Sequence, residues 1–114
     1  MNETFTEQRR HVRKRLDCTA FVFDTITGEK LGRLFDISKE GFMLLTTREL
    51  SAQQQLNLTM ELPNTISGQH NIELSAECVW CQPSSFSEDF GAGFRVKTIS
   101  EQDNVALQYF IRDF

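Results

Sequence analysis

The sequence has no apolar run approaching the ~20 residues of a membrane span, so no transmembrane helix is expected. Its first ten residues lack the apolar middle of a secretory signal, and a cytoplasmic protein is the expectation. Cysteine is scarce and odd in number: Cys18, Cys78 and Cys81 do not make a disulfide framework. Two histidines, His11 and His70, give little material for a Ser–His–Asp arrangement or a His-rich metal site. Internal repeats and low-complexity stretches are also missing. A chain of 114 residues has room for one domain around one modest core.

What is present reads as globular. Apolar residues make up 39% and charged residues 25%, and ten Phe supply much of the aromatic burial. The net charge is −4, but it is unevenly spread. Residues 9–15 hold five of the twelve Lys and Arg and no acid, leaving seven basic against sixteen acidic residues elsewhere. A protein that tracks nucleic acid spreads positive charge over a face. A short basic cluster on an acidic body suits a small, compact anion instead.

Residues 1–15 have only Phe5 and Val12 clearly apolar after the initiator, and read as a flexible basic arm preceding a domain over 16–114. Short apolar runs follow. Ala20–Thr25 is the first strand candidate, with a turn at Thr27-Gly28; Lys30–Ile37 and Phe42–Thr46 are the second and third, joined by a tight turn at 38–41. Leu56, Leu58, Met60 and Leu62 alternate and define a fourth, ended by Pro63-Asn64. Ile72, Leu74, Ala76, Cys78 and Trp80 define a long fifth, and Phe90, Ala92, Phe94 and Val96 a sixth. Ser100 with Asp103 marks a helix start, and Val105, Leu107, Phe110, Ile111 and Phe114 supply its apolar stripe. The pattern predicts a mainly β fold: a small six-stranded antiparallel barrel with a C-terminal helix packed on it.

Two motifs carry chemistry. Arg9-Arg10-His11-Val12-Arg13 is an R-x-x-x-R, expected by chance in roughly one chain in five of this length. Asp36-Ile37-Ser38-Lys39-Glu40-Gly41 is a D-x-S-x-x-G, expected in about one in twenty. Their co-occurrence, one on the basic arm and one between two strands, is far more specific. An Arg guanidinium forks onto a phosphate or onto the O6/N7 edge of guanine, and stacks on a purine. Two Arg four apart on an arm can close over a nucleotide from one side, with Arg10 beside them. The Asp36 carboxylate can accept from the N1–H and N2–H₂ donors of guanine, a pair that adenine lacks. Ser38 can fix the turn through the backbone or reach the ligand. Gly41 allows a positive φ and a close backbone approach. Guanine plus phosphate is the chemistry these residues fit.

With these motifs the sequence resembles the PilZ family over nearly its whole length. Arg9 and Arg13 match the family's R-x-x-x-R, and Asp36, Ser38 and Gly41 match its [D/N]-x-S-x-x-G. Trp80, then Gly91-Ala92-Gly93-Phe94, looks like the family's closing hairpin. Lys14-Arg15 departs from relatives that carry Pro at the second position. The resemblance implies a six-stranded barrel and cyclic di-GMP as ligand, with Arg9, Arg10 and Arg13 clasping it and Asp36, Ser38 and Gly41 holding a guanine. The implied role is a non-enzymatic bacterial receptor or adaptor. Arm movement on binding would signal to an effector protein on another chain. The rival is a PilZ-like adaptor that binds proteins without nucleotide. No other cofactor, no metal and no nucleic-acid polymer is expected, and the domain is expected to act as a monomer or weak dimer. Whether one ligand or a stacked pair binds stays open.

Other features read as structural. Cys78-Val79-Trp80-Cys81 is a C-x-x-C, but residues three apart on a strand point to opposite faces, so neither zinc nor a redox pair is expected. Trp80 and the Phe residues read as core, and Arg33 as a solvent-facing strand residue. Clustered acids or histidines that would hold metals for phosphodiester chemistry are lacking.

Overall fold

Period-two hydrophobicity decides the architecture, because each strand has one face to bury. The structure, a computed structural model, describes residues 14–15, 18–84 and 89–113. Its elements are β1 (Lys14–Arg15), β2 (Phe21–Asp24), β3 (Lys30–Ile37), β4 (Gly41–Thr46), β5 (Gln55–Ile66), β6 (Gln69–Pro83), β7 (Phe90–Ile99) and α1 (Glu101–Asp113). Every pairing is antiparallel. The order β3-β2-β5-β6-β7-β4 closes on itself through β3–β4, giving a six-stranded barrel with no free edge between members. The two-residue β1 continues the β2 side of β3, with Lys14 opposite Ile37 and Arg15 opposite Asp36.

The core is built from the inward set of each strand. Val22, Ile37, Leu44, Leu58, Met60, Ile72 and Ala76 are fully buried. Phe42 and Phe94 face each other across β4 and β7, their rings stacked with centroids 5.3 Å apart. Such offset aromatic contacts add to the area they bury. The helix packs against β5 and β6. The Ser100 hydroxyl accepts from the Asp103 amide at 3.1 Å, which caps the first turn. Ala106, Leu107 and Phe110 are buried against the barrel. The expected stripe is thereby rotated: Val105 is exposed at 43% and Ala106 takes the inward position. The i, i+3, i+4 spacing from Asp103 aims 106, 107 and 110 at the sheet. Phe114 lies outside the described residues.

Pro63-Asn64 does not end the fourth strand. β5 continues to Ile66, and the register slips between Glu61 and Ile66, so Pro63 sits where no ladder amide is required. The hairpin turns instead at Ser67-Gly68, both in the left-handed region with φ of 51° and 78°. Two successive positive φ values match the twist of a tight hairpin.

Candidate functional site

Strict alternation along β3 would send Arg33 outward, Leu34 inward, Phe35 outward and Asp36 inward. The ladder does otherwise. Leu34 pairs with Leu44 and Asp36 with Met43, so Phe35 is an extra residue without a counterpart on β4. This bulge turns Asp36 to the outer wall and returns Ile37 to the core. Asp36 is half-buried, and its Oδ1 is shielded from solvent.

The turn that follows is built by Ser38 and Gly41. The Ser38 amide donates to the Gly41 carbonyl at 2.8 Å, and the Ser38 hydroxyl donates to the same oxygen at 3.1 Å. The Gly41 amide donates back to the hydroxyl at 3.3 Å. Ser38 is buried, so its side chain spends its bonds on the turn. Gly41 does not use left-handed backbone; among the described residues the positive-φ glycines are Gly28 and Gly68. Its requirement is steric, because a Cβ there would run into the Phe94 carbonyl oxygen of β7. The Glu40 carbonyl accepts from the Val96 amide at 2.9 Å and pins the turn to β7.

A second bulge lies on β6. Cys78 pairs with Phe94 and Trp80 with Gly93, leaving Val79 without a counterpart. Trp80 therefore faces outward and is half-exposed, not part of the buried core as its alternation had implied. Its indole lies over Gly93, where a Cβ would meet Nε1, and reaches Gly91. The same bulge turns Cys81 to the core side, where it packs against the buried cluster. Cys78 and Cys81 thus share the inner side, against the expectation of opposite faces, because the extra residue restores the phase. Burial pushes the Cys78 thiol above its ordinary range, with nearby Cys81 adding to the shift. The Leu50 amide points to Cys81 Sγ at 3.3 Å. Among the described residues no group of His, Cys, Asp or Glu comes together that could hold a metal.

The two bulges converge. Arg15, Asp36, Met43, Gly93 and Trp80 are successive cross-strand partners over β1, β3, β4, β7 and β6, forming one row across the barrel wall. A carboxylate, a thioether and an indole face out along it from Asp36, and Gly93 leaves the space that the indole fills. The carboxylate can accept from paired N–H donors, while Met43 and Trp80 offer polarizable and aromatic surface. Sequence reasoning missed Met43, Gly93 and Trp80. The available signal was Gly91-Ala92-Gly93, two glycines two apart on one face of a strand, beside the single Trp. Arg9, Arg10 and Arg13 lie outside the described residues, as does the expected arm before Lys14. The backbone of β1 brings the end of that segment to Asp36. Arg33 is exposed on β3 as expected. A groove of about 540 Å³ opens elsewhere, lined by Thr25, Ile26, Asn57, Ser75 and Thr98 among others, and holds none of the motif residues.

Fold and site together define a small closed β-barrel with a bulge-built polar and aromatic row on its outer wall. The PilZ domain profile matches residues 7–113, and the chain belongs to the PilZ domain family. No curated protein matches the chain in sequence. Among solved structures it is similar to the Bacillus subtilis inhibitor of motility MotI/DgrA, with a TM-score of 0.70 and 24% identity over 92% of this chain and 50% of that one. The PilZ domain of YcgR from Escherichia coli, solved with c-di-GMP, gives 0.69 and 17% over 92% and 89%. The MrkH–c-di-GMP complex of K. pneumoniae gives 0.72 and 19% over 93% and 52%. The chain spans about half the length of MotI/DgrA and MrkH. At these identities the likeness is one of fold.

Proposed function

We propose that this PilZ domain is a receptor for cyclic di-GMP that signals to a partner protein and catalyses no reaction. The observation that carries the reading is the register of Arg15 opposite Asp36, which brings the end of the basic segment to the outward carboxylate. In this reading Asp36 accepts from the Watson–Crick edge of a guanine, and Ser38 and Gly41 hold the turn at the height the ligand needs. Met43 and Trp80 give its rings an apolar surface. Arg9, Arg10 and Arg13 close from the arm, matching guanidinium forks to phosphates and to the guanine O6/N7 edge. Neutralising that run of like charge offsets the roughly 1–2 kcal/mol per residue of backbone entropy lost on ordering the arm. The closed arm then presents a changed surface to an effector in the cytoplasm. The relatives solved with c-di-GMP support the ligand class.

Titration of the protein with cyclic di-GMP, followed by calorimetry and by emission of the single Trp80, tests this. Cyclic di-GMP should bind at least tenfold more tightly than cyclic di-AMP, since a site built for hydrogen-bond donors rejects an analogue that lacks them. Asp36→Ala, Arg9→Ala and Arg13→Ala should each weaken binding while the barrel stays folded. Equal affinity for the two dinucleotides removes the guanine assignment. Normal binding by both arginine variants removes the clasp.

A further inference from the structure

Arg95 lies outside both motifs, yet the ladder sets it against them. On β7 it is directly opposite Gly41 of β4 and directly opposite Glu77 of β6. Gly41 has no side chain, so β4 raises nothing between Arg95 and the Ser38 turn. Strand spacing and rise put Arg95 two strands across and two residues along from Asp36, roughly 12 Å between Cα atoms. That is within the span of a bound dinucleotide met by an extended arginine.

The guanidinium is loosely held where it now rests. Arg95 Nη2 is 3.9 Å from Glu77 Oε1, and its side chain is 60% exposed. The same oxygen is 3.6 Å from Lys97 Nζ. One carboxylate thus serves two cations, and Lys97 continues to pair it if Arg95 leaves. The Glu77 side chain is only 20% exposed, but a pair 3.9 Å apart whose arginine is in solvent holds weakly. A doubly charged ligand on the adjoining face competes well for the surplus cation, because a charge-assisted guanidinium–phosphate fork is shorter and stronger.

We propose that Arg95 is a further anion-binding arginine of the outer-wall site, supplied by the barrel itself, restrained by Glu77 in the free protein and released onto a ligand phosphate. The proposal rests on the reading of this face as a cyclic di-GMP site. It assigns to the barrel wall a phosphate contact of its own, two strands away from Asp36. Glu77 then acts as a brake on affinity.

Calorimetric titration with cyclic di-GMP of wild type, Arg95→Gln, Glu77→Gln and the double variant tests it, with thermal melts to show that each is folded. Arg95→Gln should weaken binding about tenfold, as expected for losing one charge-assisted contact, and should make affinity less sensitive to salt. Glu77→Gln should tighten binding about threefold, and the double variant should behave like Arg95→Gln. Opposite signs for the two single variants distinguish release from a structural ion pair, whose loss would shift both in the same direction. A wild type that binds while Arg95→Gln is unchanged, or a Glu77→Gln variant that weakens as Arg95→Gln does, overturns the role of Arg95 alone. A wild type that fails to bind cyclic di-GMP overturns the underlying reading with it.

Discussion

The β5–β6 wall and the β3–β4–β7 wall are built from the same kind of strand and do different work. Over Gln55–Glu61 the first pairs residue for residue with β6, with Leu58 and Met60 fully buried and Asn57 and Glu61 turned out. Nothing interrupts its phase there. The second wall, with the adjoining end of β6, breaks phase at Phe35 and again at Val79, and replaces outward side chains with Gly41, Gly91 and Gly93. Regular alternation hides apolar surface. Interrupted alternation displays chosen groups: Asp36 and Trp80 come to one row only because each follows an extra residue. The regular wall is accordingly the place to look for stability, and the bulged wall the place to look for recognition.

The largest expected effect separates the two walls. Leu58→Ala empties a fully buried position and should cost about 3 kcal/mol of unfolding free energy in urea titration. At temperatures where it stays folded its affinity for cyclic di-GMP should match wild type. A large loss of affinity in that variant would show that the regular wall also shapes the site.

A smaller pair of effects compares two glycines within the bulged wall. Gly41→Ala drives a Cβ into the Phe94 backbone, which cannot yield, and should cost about 2 kcal/mol while disturbing the Ser38 turn. Gly93→Ala meets the Trp80 side chain instead, which can rotate away; it should cost under about 1 kcal/mol and shift Trp80 emission. Equal destabilisation by the two would mean that the indole is locked in place and belongs to the core.

The smallest effect concerns pH. The folded state holds the Cys78 proton more tightly than the unfolded chain does, because burial and then Cys81 raise its pKa. The resulting stability is complete below the ordinary thiol value of 9.0 and is lost as pH rises above it. Urea midpoints of wild type should therefore fall between about pH 7 and about pH 10 by more than those of Cys78→Ala. Identical falls would show that the thiol contributes nothing to the pH dependence.

Much of this was legible beforehand where the signal was local. The alternation of Leu56 to Leu62 and of Ile72 to Cys78, the Thr27-Gly28 turn and the Ser100 cap each depend on a few consecutive residues, and the structure has them as read. The run through Pro63 was misread, since a proline ends a strand only if the ladder needs its amide, and the slip beyond Glu61 removes that need. Val105 was misplaced by one position, since helix phase is set by what the helix lands on.

By itself the sequence determined the number of barrel strands, the helix, the positions of both motifs and the chemistry they can offer. Tertiary structure alone decided which way the residues after each bulge face. A bulge is a mismatch in count between two strands, two residues against one, and no single strand carries that information. Shifting one residue reverses every later side chain between core and surface. This is why Asp36 could be recognised as a carboxylate worth watching, while its place in a row with Met43, Gly93 and Trp80 waited on the pairing of β3, β4, β7 and β6.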